Sequence, residues 1–218
     1  MPRIMGENTE TAERIRQKAH DLFMQYGLRS VSMDDIATAL GMSKKTIYQF
    51  YADKDALVHD VILFIINHNQ NCCEKDRDVS ENAIHELFLA MDFMMEIFRS
   101  MNPSLVFDMQ KYYPTAFQKF LQHKNDYLFG VIKSNIQRGI KEGLYREELH
   151  VDVIARFRVE SMMLPFDPAF YTKVKPDLAA IEEELMFYFL FGMVSPKGYK
   201  MTIKYREDRL KKIKKEDE

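Results

Sequence analysis

The sequence predicts an all-α protein, and three observations carry that prediction. Prolines are spaced so that long stretches run unbroken: after Pro2 the next is Pro103, followed by Pro114, Pro165, Pro168, Pro176 and Pro196. The stretches between them are rich in Leu, Ile, Met, Phe, Glu, Lys and Gln, which favour a helix or accept one when a face is buried. No segment shows the sustained apolar–polar alternation between turn signals that marks strands. With 218 residues, 46% of them hydrophobic and 29% charged, the chain has material for one large or two small helical domains with a real core.

The first helix is expected over 11–26, where Ile15, Ala19, Leu22, Phe23 and Tyr26 form one apolar stripe and Gly27 supplies the stop. A second, short helix runs to Leu40; Ser32 is a good N-cap, and Asp34 and Asp35 fall in the first turn, where the helix dipole favours acids. Gly41 breaks it, Ser43 caps a third helix from 44 to about 51, and Asp53 caps a fourth whose Leu57, Val61, Ile62 and Ile65 face inward and which continues to about 70 or beyond. A larger helical unit follows. It holds a helix over about 80–101, a short piece over 103–113, a long helix over 114–143 ended by Gly143, and two last major helices over 151–164 and 177–194. The tail, with basic residues at 200, 204, 206, 209, 211, 212, 214 and 215 against acids at 207, 208, 216, 217 and 218, reads as a solvated, fraying helix.

Composition excludes several classes. The net charge of −2 neither demands nor forbids a nucleic-acid partner, because a small basic surface fits within a neutral total. The two cysteines, Cys72 and Cys73, are neighbours, so a disulfide framework is ruled out and a reducing compartment is expected; they read as two ordinary thiols at a helix end, with oxidant or metal sensing as the alternative. The N-terminus lacks an apolar secretory segment, and the longest apolar run, 185–194, is too short for a bilayer, which needs about 20 residues. A soluble, cytoplasmic protein without membrane contact is expected. His85, His123 and His150 show no metal-ligand spacing, and no phosphate loop, nucleophile elbow or His-Glu-x-x-His string occurs, so neither an enzyme nor a cofactor or metal site is expected.

The informative segment is 32–51, SMDDIATALGMSKKTIYQFY. Two short helices crossing steeply need a small residue at the crossing, a turn residue tolerant of positive φ, and a buried aliphatic to lock the second helix. Ala37, Gly41 and Ile47 supply these, with Ile36, Leu40 and Phe50 completing a small core against Leu22 and Phe23. That pattern describes a helix-turn-helix. Lys44, Lys45, Thr46, Tyr48 and Gln49 then remain on the outer face, where this motif meets DNA. Lys44 or Lys45 suits guanine O6/N7 or a phosphate, Gln49 suits adenine N6/N7, and Thr46 a thymine methyl or a phosphate. Tyr48, Lys54 and the helix start at Ser32 suit phosphate oxygens, and Ser43 opens the reading helix.

Over about 12–61 the sequence resembles the TetR family of bacterial transcriptional regulators. The resemblance rests on Leu22-Phe23, Gly27, the Ser-Val/Met-x-Asp-Ile-Ala pattern at 32–37, the Leu-Gly-x-Ser-Lys-x-Thr-Ile-Tyr string at 40–48, Phe50, and Lys-x-Ala-Leu at 54–57. It implies that Tyr48 and Lys54 touch the DNA backbone and that residues 44–49 face bases; Lys45 stands where the family often has Gly. It also implies an N-terminal three-helix DNA-binding domain (9–55, with the helix-turn-helix at 32–51), a larger C-terminal helical domain for effector binding and dimerisation (56–200), and here a charged tail (201–218). The expected partners are a palindromic double-stranded operator, a second copy of the chain, and a small-molecule effector; the expected role is a repressor released by an apolar or amphipathic compound. A regulator controlled by abundance or a protein partner is the alternative. Met91, Met94, Phe98, Phe107, Tyr112, Phe117 and Tyr127 are candidates to line the effector cavity, since Met and aromatic side chains build adaptable apolar pockets as well as cores. The run at 185–194 is apolar on all sides, and Phe187, Tyr188, Phe191 and Val194 do not all fit one protomer's interior. They predict a two-fold four-helix interface formed by 151–163 and 177–194.

Overall fold

The computed structural model describes residues 5–167 and 177–216, with side chains described from residue 9 to 211 in those segments. Pro168 and Pro176, and the tail's charges at 212 and beyond, lie outside the described side chains. Among the described residues the chain is helical, with a single isolated β-bridge between Tyr145 and Val194. The helices are α1 (Met5–Tyr26), α2 (Met33–Leu40), α3 (Lys44–Tyr48), α4 (Lys54–Val79), α5 (Ala83–Ser100), α6 (Leu105–Tyr112), α7 (Pro114–Gln122), α8 (Phe129–Lys141), α9 (Val151–Ser161), α10 (Leu178–Met193) and α11 (Pro196–Glu216).

By compactness the chain falls into two units, Met1–Asn69 with Ser100–His123, and Gln70–Arg99 with Lys124–Glu218. This differs from a division at 55/56. The first unit takes in α6 because Leu105 and Met109, one turn apart, are buried in the same core as Ile15, Ala19, Phe23, Leu28, Ile36, Ile47, Leu57, Val58 and Val61. Polar bonds complete the attachment. The Asn102 N–H donates to Met24 O at 2.6 Å, and the carboxylate of Asp108, itself buried, accepts the Arg29 N–H at 3.0 Å.

In the second unit, Arg138 holds the turn between α4 and α5. Its guanidinium donates to Glu86, Glu142 and Ser80 at 2.7–2.9 Å. Beside it a Cβ at Gly139 would collide with the ring of Tyr145, whose hydroxyl donates to Ala83 O and Asn135 Oδ1. Arg158 on α9 and Glu182 on α10 form a buried ion pair, with the guanidinium over the ring of Phe189 and the second Glu182 oxygen unpartnered. Burial raises the Glu182 carboxyl above the usual range, against the lowering effect of Arg158. Burial also pushes the Cys73 thiol up to about 12, with Asp76 adding to it, which suppresses the thiolate that sensing chemistry needs.

Two expectations are corrected here. The long helix expected over 114–143 is interrupted by a π-helical stretch, His123–Leu128. The wider turn accommodates two buried polar residues: His123 Nε2 lies 2.9 Å from Asn69 Oδ1, and Lys124 pairs with Glu160 at 3.1 Å. Over 196–211 the C-terminal segment is a docked helix rather than a solvated, fraying one. Thr202 is fully buried, Tyr205 stacks on His85, and Arg209 pairs with both Asp92 and Glu183.

Burial lowers the His123 imidazole from 6.5 to about 4. The unfolded chain therefore takes up this proton first, so the stability tied to neutral His123 is fully present above about pH 6.5 and is lost as pH falls towards 4. Urea denaturation across that window is expected to show stability dropping with acid, and His123→Gln is expected to flatten the drop.

Candidate nucleic-acid interface

The site is built by two short helices that neither propensity nor length would hold alone. At the start of α2, the Ser32 hydroxyl accepts the Asp35 N–H at 3.2 Å while the Asp35 carboxylate accepts the Ser32 N–H at 2.7 Å, a complete capping box. These bonds with Ser32 hold the Asp35 carboxyl below its usual range. At the far end Gly41 takes φ +64°, the left-handed turn that α2 needs to stop, and Met42 N–H closes onto Ala37 O at 2.9 Å. Ser43 then caps α3, its hydroxyl accepting the Thr46 N–H at 3.1 Å.

Helix α3 has five residues, and its anchor is Ile47, fully buried in the first unit's core beside Ala37 and Ile36. Burying one face leaves the other outside. Lys44, Lys45, Tyr48 and Gln49 are exposed, Tyr48 at 44%, and Thr46 is half-buried. Ser32, Ser43, Lys44, Lys45, Thr46, Tyr48 and Gln49 thus lie together along α2–α3. Their engagement differs. The Ser32 and Ser43 hydroxyls are committed to caps, and Lys44 is paired with Asp34 at 2.8 Å, which raises its amine above the usual value. Behind α3, Tyr51 is buried and donates to Asp60 at 2.7 Å, tying the end of the motif to α4.

Lys54 is placed differently from the expectation. It is half-buried over the rings of Phe23 and Tyr113, at 5.8 and 5.7 Å, and its amine donates to Leu28 O. Burial lowers its pKa. In this conformation the lysine braces the loop between α1 and α2 rather than presenting an amine to a phosphate.

The residues expected to line an effector cavity do not gather in one unit. Met91 and Phe98 are buried and Met94 is half-buried on α5 in the second unit; Phe107 and Tyr112 are exposed and Phe117 is half-buried in the first. Tyr127 lines a pocket of about 290 Å³ in the second unit with Cys73, Arg77, Val131 and Ser134, and its hydroxyl donates to Gln70 O at 3.2 Å. A larger groove of about 680 Å³ runs along α9, α10 and α11, lined by Ile154, Phe157, Phe187, Tyr188, Phe191 and Arg206. Of the expected interface residues, Phe187 and Val194 are buried in the protomer, Phe191 is half-buried, and Tyr188 is 72% exposed. Val153 and Phe157, within the 151–163 segment expected at the interface but not singled out there, are 65% and 50% exposed on α9.

Comparison with known proteins finds similar sequences and folds. Residues 15–61 match the family model described as bacterial regulatory proteins, tetR family. An HTH-type transcriptional regulator of Staphylococcus aureus is 26% identical over 159 residues, 69% of this chain and 83% of that protein. The HTH-type transcriptional repressor KstR2 of Mycobacterium tuberculosis is 22% identical over 163 residues, 72% of this chain and 80% of its own length. The solved structure of KstR2, a ketosteroid transcriptional regulator, is similar with a TM-score of 0.59 at 18% identity, covering 88% of this chain and 97% of that one. A Saccharomonospora viridis structure, described as a transcriptional regulator in complex with choline, is similar with a TM-score of 0.66 at 17% identity, covering 86% and 99%.

Because Ile47 carries the placement of α3, Ile47→Ala is expected to cost about 2–5 kcal/mol of stability, measured by urea denaturation of the intact protein. Lys45→Ala, on the exposed face, is expected to leave the same denaturation curve unchanged.

Proposed function

By its N-terminal domain the chain belongs to the TetR family, and on that premise we propose that it is a sequence-specific transcriptional repressor acting as a homodimer on a palindromic operator. The observation that carries this reading is the outward face of α3, where Lys45, Tyr48 and Gln49 stand exposed on a helix fixed by the buried Ile47. Each protomer lays that helix in a major groove. Gln49 pairs with an adenine edge, Lys44 and Lys45 reach guanine or phosphate, and Tyr48 and the start of α2 hold the backbone. Residues 9–55 read DNA in this account, and 56–200 carry effector binding and dimerisation. The role is regulatory rather than catalytic, and its place is the cytoplasm, where the operator is. Among the described residues no helix is long and apolar enough to cross a membrane.

Dimerisation is assigned to α9 and α10, where Val153, Phe157 and Tyr188 expose apolar surface beside the 680 Å³ groove. Release is assigned to an apolar or amphipathic small molecule, which shifts the balance between DNA-competent and incompetent states only by its differential affinity for them. The repressor name of KstR2 and the choline complex of the S. viridis protein support a small-molecule response. The second reading, control without an effector, is favoured by the burial of Met91 and Phe98 at 2% and 7% exposure, as packed core.

Selection from a random duplex library is expected to enrich a palindrome, and a library that emerges without two-fold symmetry would contradict the proposal. On the selected duplex, Gln49→Ala is expected to relax preference at one base pair by roughly 1–3 kcal/mol while Tyr48→Phe weakens all sequences alike. Tyr188→Glu is expected to shift the protein from dimer to monomer in sedimentation at micromolar concentration.

A further inference from the structure

The helix-turn-helix is poor in available positive charge. Residues 32–55 carry three lysines against four aspartates. Of those lysines, Lys44 shares its charge with Asp34 in an exposed pair and Lys54 is turned to Leu28 O, so Lys45 is the one left uncommitted. Backbone affinity for a duplex scales with the number of phosphates neutralised, so the reading head needs cations from elsewhere.

The first unit supplies them, one in the loop after α1 and one on α6. Arg29, three residues before the cap of α2, lies with its guanidinium 5.3 Å from the ring centre of Tyr112. Lys111 lies 5.4 Å from the same ring and 5.5 Å from that of Phe107. Both rings are exposed, Phe107 at 47% and Tyr112 at 36%, and no salt bridge among the described residues occupies either cation. The patch is held rigidly to the reading head. Buried Asp108, from the next turn of α6, accepts the Arg29 backbone N–H, and Asn102 bonds to Met24 and Gln25 at the end of α1. It is also continuous with the head: Tyr113 covers the Lys54 amine, and that amine bonds to Leu28, the neighbour of Arg29.

We propose that Arg29 and Lys111, steadied by Tyr112 and Phe107, form a second DNA-backbone contact that neutralises phosphates beside those met by α2 and α3. The occupant is double-stranded DNA because the patch pairs two cations free of salt bridges with the phenol of Tyr112, a phosphate donor, and Arg29 stands three residues before the capped start of α2, an end already assigned to a duplex backbone. The inference rests on the regulator reading, and adds to it an element outside the helix-turn-helix. Exposed aromatic rings on a helix of the reading unit would otherwise be a liability.

The test uses the full chain and a fluorescent mixed-sequence duplex of about 30 base pairs, with affinity measured by anisotropy over a range of salt. Arg29→Ala with Lys111→Ala is expected to weaken binding about tenfold at 0.15 M salt and to reduce the slope of log affinity against log salt by about two, one phosphate contact for each cation. The charge-keeping pair Arg29→Lys with Lys111→Arg is expected to restore the slope, which separates lost contact from lost folding. The same factor is expected on a selected palindrome, since phosphate contacts carry no sequence information. A wild-type protein that binds DNA, with a double-alanine variant that keeps its slope, overturns this contact and leaves the regulator reading intact. A loss confined to the selected palindrome overturns it as well, while a wild-type protein without salt-dependent DNA binding overturns both.

Discussion

The structure turns on the burial of one side chain. Ile47 sits fully enclosed in a helix of five residues, too short to persist in water by its own hydrogen bonds. Its burial in the core that also holds Ile36 and Ala37 fixes the helix in rotation and in depth, and the Ser43 cap fixes where it starts. Once those two constraints are met, the direction of Lys45, Tyr48 and Gln49 is no longer free. The surface offered to a partner is the geometric remainder of a buried one.

A second constraint extends that logic beyond the motif. Asp108 is a carboxylate with little solvent access, and a buried charge is tolerable only where hydrogen bonds replace its water. The Arg29 backbone N–H does so, with the Ser104 hydroxyl nearby, and the cost of leaving Asp108 unsatisfied ties α6 to the loop that precedes α2. The second unit uses the same device in Arg158 and Glu182. Breaking such a buried pair on one side is far more damaging than replacing both, so it specifies which faces of α9 and α10 meet.

Much of the reading head was legible in the sequence because its constraints are local. Gly41, Ser32 and Ser43 act within a few residues of where they stand, and the spacing of Ala37, Gly41 and Ile47 encodes a crossing directly. The inward turn of Lys54 was hidden, since it depends on Tyr113, distant in sequence, closing over the amine. The membership of α6 in the first unit was hidden for the same reason: Leu105 and Met109 look like any helical apolar pair until the chain brings them beside Phe23 and Leu28. Charge alone made the tail read as solvated, although Thr202, Tyr205 and Arg209 recur on one face at about helical spacing and carry its docking. The effector residues were chosen by composition, which does not distinguish Met91 in a packed core from Phe107 on a surface.

The most direct measurement of the central claim is photo-crosslinking with a benzophenone amino acid placed singly at positions 45, 48 and 49 on α3 and, as a contrast, at 188 on α10, in the presence of duplex DNA carrying the selected site. The account predicts crosslinks to DNA from the three α3 positions and protein–protein crosslinks from 188. Capture of DNA from 188, with none from α3, would contradict it.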